Sequence, residues 1–173
     1  MARIAVDMDE VIADFNAKFI PALNARFNKQ LTLAHLHGTK AEQVFPELAQ
    51  KIKDMIGEAD FFADLPVMQD SQEVLAQMAN QHEIFITTAA MEFPLSFHAK
   101  FHWLQQYFPF IDPMNIVFCG TKTIIHADYL IDDNIRHFSR FQGEGILFTA
   151  PHNIALEGFR RVNNWQEIAE IFL

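Results

Sequence analysis

The sequence predicts an α/β fold, with helices covering both faces of a parallel sheet to make three layers, and two observations predict it. Short apolar runs rich in β-branched residues recur along the 173 residues, as buried parallel strands do. Segments with apolar residues at helical spacing separate them, and that alternation is the pattern of strand–crossover–strand units. The length suits one α/β unit with room for an insert and is enough to bury a substantial core.

Taken in order, the first strand is Arg3–Val6, which stops at Asp7. Helical spacing begins at Phe15, with Phe19, Leu23 and Phe27 following at intervals of four, and Pro21 predicts a kink or break. Residues 31–46, with His35, His37 and Gly38, carry no clear pattern. Glu47–Gly57 reads as a second helix with Leu48, Ile52 and Met55 or Ile56 on one face and Gly57 as its stop. An aromatic-rich connection, Asp60–Pro66, follows. Residues 15–66 are therefore expected to form a mostly helical insert, leaving 1–14 and 67–173 as the α/β core. In that core Ser71–Asn80 reads as a helix and Glu83–Thr87 as a strand, and Phe97, Phe101, Leu104 and Phe108 mark the apolar face of another helix. Short β runs come next at Asn115–Cys119, Tyr129–Ile131 and Gly145–Phe148. Asn164 and Glu167 have the spacing of a capping box and open a terminal helix through Phe172.

Composition removes several classes of function. Half of the residues are hydrophobic and 18 are Phe, so the chain is not disordered. A formal net charge of −9 and the lack of a basic stripe argue against a nucleic-acid polymer as partner. No apolar run approaches the length of a membrane span, and the N-terminus enters a strand without the shape of a signal peptide. Cys119 is the single cysteine, so no internal disulfide forms. The expectation is a soluble cytoplasmic protein, compatible with a homo-oligomer.

In a parallel sheet the carboxyl ends of all strands meet along one edge, where ligands bind. Here the first strand ends in Asp7-x-Asp9, the second in Thr87-Thr88 followed by Ala89, and the third leads to Lys122. The fourth ends in Asp132-Asp133. Two carboxylates as close as Asp7 and Asp9 repel by about 1 kcal/mol in water and by more when partly buried, which a hard divalent cation relieves. Each part has a use in phosphate chemistry. One carboxylate can attack phosphorus and become an aspartyl-phosphate. A second, two residues on, can protonate the leaving alkoxide and later activate water. Mg²⁺, which prefers octahedral oxygen ligands, suits Asp7, Asp133 and a backbone carbonyl near Asp9. Thr88 and nearby N–H groups can hold phosphoryl oxygens while Lys122 offsets the charge on Asp7 and the phosphate.

With those residues in view, the chain resembles the haloacid-dehalogenase-like phosphohydrolases, and more closely the 5′(3′)-deoxyribonucleotidases and their bacterial relatives. The resemblance rests on DMDEVIADF (7–15), FFADL (61–65), IFITTA (84–89), WLQQYF (103–108), TKTIIHADYLIDD (121–133) and LFTAPHN (147–153). It implies a Rossmann-like sheet of order 5-4-1-2-3 with residues 15–66 as a helical cap over the site. It implies Asp7 as nucleophile and Asp9 as acid and base, with Asp9, Thr88, Ala89 and Lys122 on the substrate phosphate and Phe15 on the base. The implied metal is Mg²⁺, held by Asp7, Asp9 through its carbonyl, and Asp133, with Asp132 supporting Lys122 or a water on the metal. The implied substrate is a nucleoside monophosphate, a small phosphate ester.

The sequence departs from that family in three places. Glu10 stands where Gly is usual, Ala89 offers only its N–H where a hydroxyl is usual, and His37–Lys40 and Ile56 stand where cap aromatics are expected. With Phe15 the single stacking residue in view, a broad and weak base preference is expected. The alternatives are the same chemistry on another small phosphate ester, or a non-catalytic sensor of phosphorylated metabolites. A receiver-type phosphoacceptor is discounted, because it places its acidic pair on the first strand. His98 and His102 lack the Glu of a zinc helix and read as helix-surface residues. His152 reads as a loop residue, Cys119 as a small buried one, and Lys100 points either to the phosphate or to solvent.

Overall fold

The computed structural model describes residues 1–173 and contains one six-stranded parallel sheet. Its strands are β1 (Arg3–Val6), β2 (Glu83–Thr88), β3 (Ile116–Phe118), β4 (Tyr129–Asp132), β5 (Glu144–Phe148) and β6 (Arg160–Val162). They lie in the order β3-β2-β1-β4-β5-β6. The five strands expected from sequence keep the order 5-4-1-2-3, and the structure adds β6 beyond β5. That strand escapes a search for apolar runs because it is a short edge element, Arg-Arg-Val, and edge strands carry charge. β1 is central: Ile4, Ala5 and Val6 are fully buried, and Val6 lies between Ile86 of β2 and Ile131 of β4. The chain steps outward from β1 to β2 and β3, then returns to β4 on the other side. The crevice this reversal opens lies beyond the carboxyl ends of β1 and β4.

Six α-helices accompany the sheet: α1 (Phe15–Phe27), α2 (Ala41–Val44), α3 (Ala49–Ile56), α4 (Ser71–Ala79), α5 (Phe97–Tyr107) and α6 (Trp165–Phe172). α1 runs unbroken past Pro21, contrary to the expected break. The carbonyl deprived of its partner there is that of Ala17, an exposed residue, while Phe19 and Leu23 bury the opposite face. Residues 31–46, unreadable from sequence, form a 3₁₀ turn at Leu33–Leu36 and the short α2. Asn164 caps α6 by accepting the Glu167 N–H at 3.0 Å, but the Glu167 carboxylate returns to the N–H of Asn163, one residue earlier than a capping box predicts.

α5 is rotated from the expected face. Its buried residues are Ala99, Lys100, Trp103 and Leu104, whereas Phe101 of the apolar stripe is exposed. Two polar groups set the rotation. The Trp103 indole donates to the Leu65 carbonyl at 2.8 Å, and the Lys100 ammonium reaches Asp9. Satisfying these groups in the interior outweighs exposing one aromatic edge.

The helical segment 15–66 leaves and rejoins the sheet through a narrow antiparallel junction. Asp14 N–H donates to the Pro66 carbonyl at 2.8 Å, and Met68 N–H to that of Ile12 at 2.9 Å. Two buried indoles clamp this junction, Trp103 at Leu65 and Trp165 at Val11, the latter at 2.7 Å. No helix is long and apolar enough to cross a membrane. Trp165→Phe keeps an aromatic ring in the core but orphans the Val11 carbonyl and leaves a void. Urea unfolding is expected to show a loss of about 1–3 kcal/mol, and an unchanged midpoint would remove the clamp from this account.

Candidate active site

Local backbone geometry delivers the acids to the sheet edge. Asp7 follows β1 and keeps the parallel ladder for one more rung, its N–H donating to the Ile131 carbonyl at 2.9 Å. The chain then curls, with Val11, Ile12 and Ala13 N–H groups all directed at the Met8 carbonyl. Asp132 is the last residue of β4, and Asp133 follows it. The Asp133 carbonyl is held by the Asn153 side-chain amide at 2.8 Å, and the fully buried Asn153 also bonds the Phe148 carbonyl. Lys122 enters from a 3₁₀ turn after β3, Lys122–Ile124, its own N–H donating to His137 Nδ1 at 3.3 Å.

Two lysines partition the acids. Lys122 Nζ is buried between Asp7, with which it forms a close ion pair, and Asp132 Oδ2 at 2.6 Å. Lys100 Nζ pairs with Asp9 Oδ2, donates to Thr88 Oγ1 at 3.1 Å, and stands 4.2 Å above the Phe62 ring centre. Lys100 therefore turns inward rather than to solvent. Burial acts to lower the Lys122 pKa, but Asp7 and Asp132 more than offset it and raise it above the ordinary lysine value. Burial pushes the Asp7 and Asp9 carboxyls up, against the pull of Lys122 and Lys100 respectively. Asp133 is raised well above the usual carboxylate range by burial and by the nearby charges of Asp7 and Asp132. His137 is held neutral, lowered to about 4 by burial and then by Lys122.

The residues fit a divalent cation. Asp7, Asp132 and Asp133 offer carboxylate oxygens within 4.8 Å of one another. Four aspartates face two lysines, so carboxylates outnumber the ammonium groups that could neutralise them, and the Asp9 Oδ1 atom is buried without a protein partner. Asp132 has both oxygens committed, one to Lys122 and one to the Asn134 N–H at 2.8 Å, so its carboxylate is the least free of the three.

These groups form one end of a cavity of about 360 Å³. It is lined by the expected Asp7, Asp9, Phe15, Ala89, Lys122, Asp132 and Asp133. Thr88 is fully buried behind them, its hydroxyl on Lys100 rather than on the cavity. The other walls come from residues 15–66 and from the loops after β2, β4 and β5. Phe15, Phe19, Phe62 and Phe93 face the cavity beside Leu36 and Ile56, with Phe15 and Phe19 stacked at 5.1 Å. The expectation of a cavity poor in aromatics is thus corrected. Phe62 lies within FFADL and Phe93 in the loop after β2, so neither occupies the positions at which cap aromatics were sought.

Glu10 does line the cavity, as expected of a carboxylate near the site, but it is largely buried and its carboxylate is turned to Asn16. His152 is not merely a loop residue: its Nε2 lies 3.2 Å from the Asp133 carbonyl and 3.6 Å from its carboxylate. His98 and His102 are exposed on α5 and Cys119 is buried, and none of the three lines the cavity.

The family model described as "5′ nucleotidase, deoxy (Pyrimidine), cytosolic type C protein" matches residues 1–173. A Staphylococcus epidermidis protein provisionally named a 5′(3′)-deoxyribonucleotidase is 45% identical over 170 residues, covering 98% of this chain and 95% of that protein. The 5′(3′)-deoxyribonucleotidase of Bacillus subtilis strain 168 is 37% identical over 168 residues, 95% of each chain. Among solved structures, a haloacid dehalogenase-like protein from Agrobacterium tumefaciens shares the fold with a TM-score of 0.62 at 13% identity, covering 98% of this chain and 96% of that one. A Bacillus subtilis protein, provisionally named a HAD hydrolase and bound to magnesium, gives 0.58 at 12% identity over 98% and 97% of the two chains.

Glu10 supplies a test of the site's electrostatics. Burial, opposed by its bonds to Asn16, pushes its pKa up to about 7 from 4.5. The folded protein therefore keeps a proton that the unfolded chain releases, and between those values stability falls as pH rises. Glu10→Gln does not titrate. Its unfolding free energy is expected to match wild type below pH 4.5 and to exceed it by about 1–3 kcal/mol near pH 8. A difference that does not change with pH would contradict the burial of this carboxyl.

Proposed function

The chain belongs to the family of 5′ nucleotidase, deoxy (Pyrimidine), cytosolic type C proteins, and from that premise we propose that it is a phosphoric monoester hydrolase that dephosphorylates nucleoside monophosphates as a 5′(3′)-deoxyribonucleotidase, with Mg²⁺ as cofactor. One observation carries the reading. Asp7 and Asp9 stand at one end of a cavity with a separate buried lysine on each, and Phe15, Phe19, Phe62 and Phe93 line its walls. Residues 15–66 act as a cap on a core made of 1–14 and 67–173. The unpaired cysteine fits a cytoplasmic location.

The residues divide the chemistry between them. Lys122 occupies one oxygen of Asp7 and leaves the other to attack phosphorus. As the Asp7–phosphorus bond forms, the ester bond breaks, and Asp9 gives its proton to the departing alkoxide. Burial favours the protonated Asp9 that this step needs, and Lys100 keeps the carboxyl in place. Asp9, now a carboxylate, takes a proton from water as that water attacks phosphorus, which breaks the bond to Asp7 and frees inorganic phosphate. The Ala89 N–H and Lys122 would hold phosphoryl oxygens, both residues lining the cavity. Asp7, Asp133 and the Asp9 carbonyl would hold the metal, with Asp132 kept on Lys122. The cation, when bound, supplies positive charge that screens the acids from the incoming phosphate. Phe15 and its aromatic neighbours contact the base.

Three outcomes test this. Asp7→Asn is expected to fold and to lose turnover by at least about a thousandfold, because an amide is a poor nucleophile for an ester that barely hydrolyses unaided. Asp9→Asn is expected to cost more on a nucleotide than on an aryl phosphate, whose leaving group needs little protonation. Chelation should stop phosphate release, Mg²⁺ should restore it and Ca²⁺ should restore it poorly, since Ca²⁺ takes more ligands at longer distances. Full turnover in excess chelator would rule out the metal.

A further inference from the structure

The reaction above leaves Glu10 without a part, yet its geometry is the least ordinary at the site. Its φ of 62° lies in the left-handed region, where glycine is at ease and a residue with a Cβ is strained. An outlier of this kind persists only where the surroundings over-determine it. Here the carboxylate is fully engaged: Oε1 accepts the Asn16 N–H at 2.8 Å and Oε2 the Asn16 side-chain amide at 2.8 Å. Asn16 is the second residue of α1, so its N–H is one of the free donors of a helix start. Asp14 already caps that turn by accepting the Ala17 N–H at 3.0 Å. The second cap is thus beyond what α1 alone requires, and it comes from the residue next to Asp9.

We propose that Glu10 is a positioning residue whose pair with Asn16 locks the turn carrying Asp9 to the first turn of α1, and thereby sets Phe15 at the height above the phosphate site where it meets the nucleoside part of the substrate. This rests on the nucleotidase reading. Phe15 is the residue before Asn16 and faces the cavity, so a shift of the first turn of α1 moves the ring directly. Asp7 and Lys122 are fixed by β1, β4 and their own ion pairs, and the Asp9 carboxylate by its separate pair with Lys100 of α5, so none of these three side chains is anchored by α1. Loss of the latch should therefore be felt by the nucleoside more than by the phosphate.

The test compares thymidine 5′-monophosphate with para-nitrophenyl phosphate, which lacks a nucleoside, in Glu10→Gly, Asn16→Ala and Glu10→Gln. The first two are expected to raise KM for the nucleotide about tenfold, the scale of one lost charge-assisted hydrogen bond, and to change kcat/KM for the aryl phosphate by less than about threefold. Glu10→Gln can accept from the Asn16 N–H and donate to a turned Asn16 carboxamide, and it should restore nucleotide KM to within about twofold. Hydrogen exchange of the Asn16 amide gives a readout apart from activity: about tenfold faster in Glu10→Gly and near wild type in Glu10→Gln. Asn16→Ala leaves the left-handed residue in place, so the latch is tested even if Glu10→Gly fails to fold. Equal losses on both substrates, unchanged nucleotide KM, or an Asn16 amide indifferent to Glu10 would overturn the proposal. If the wild type cleaves neither ester, the nucleotidase reading fails, while the exchange comparison still decides whether the latch exists.

Discussion

A single ammonium group buried between two carboxylates holds the carboxyl edge of the sheet together. Lys122 comes from the turn after β3, Asp7 from the end of β1 and Asp132 from the end of β4, so three separate chain segments meet at one nitrogen. None of the three charges is tolerable alone in that interior. Removing one partner of a buried pair leaves an uncompensated charge, at a cost of about 3–5 kcal/mol. The positions of the strand ends, and through them the shape of the crevice, follow from this arrangement. Lys100 repeats the device for Asp9 from the opposite side, with Thr88 and the face of Phe62 completing its surroundings.

Phe62 links the two halves of the site. It lies under the Lys100 ammonium, and its ring is 6.1 Å from that of Phe15 and 6.2 Å from that of Phe93. A cation over an aromatic face is attracted by the ring quadrupole, and the same ring extends the apolar wall of the cavity. The charged floor and the aromatic wall are therefore packed against each other rather than merely adjacent, so the electrostatics at Asp9 and the shape of the cavity are physically coupled.

The segment 15–66 meets the sheet at a junction of few bonds, with the indoles of Trp103 and Trp165 closing on it from the core. Away from that junction Gly38 N–H donates to the Pro151 carbonyl at 3.0 Å, so the loop before α2 touches the loop after β5 across the cavity. The adjoining His152 and Asn153 hold the Asp133 carbonyl. A contact made by the helical segment is in this way two residues from the support of an acid in the site.

The alternation of apolar runs and helical spacing determined the layers, and the polar residues that end each run determined the set Asp7, Asp9, Lys122, Asp132 and Asp133. Both are local properties of the chain: a buried parallel strand must be apolar throughout, and the residue that breaks it off must lie at the sheet edge. Other features depend on partners distant in sequence. The apolar stripe of α5 pointed to Phe101, but the ion pair of Lys100 with Asp9 and the bond of Trp103 to Leu65 turned the helix and brought that lysine inside. Phe62 became a cavity wall because the segment 15–66 folds back over the sheet edge, where it meets Phe93 of the loop after β2. Glu10 read as an extra charge at the mouth, and only the left-handed turn at that residue directs it at Asn16. Sequence by itself determined which groups lie at the edge of the sheet. Tertiary structure decided which of them pair, because desolvation makes each buried charge seek a counter-charge whatever its distance along the chain.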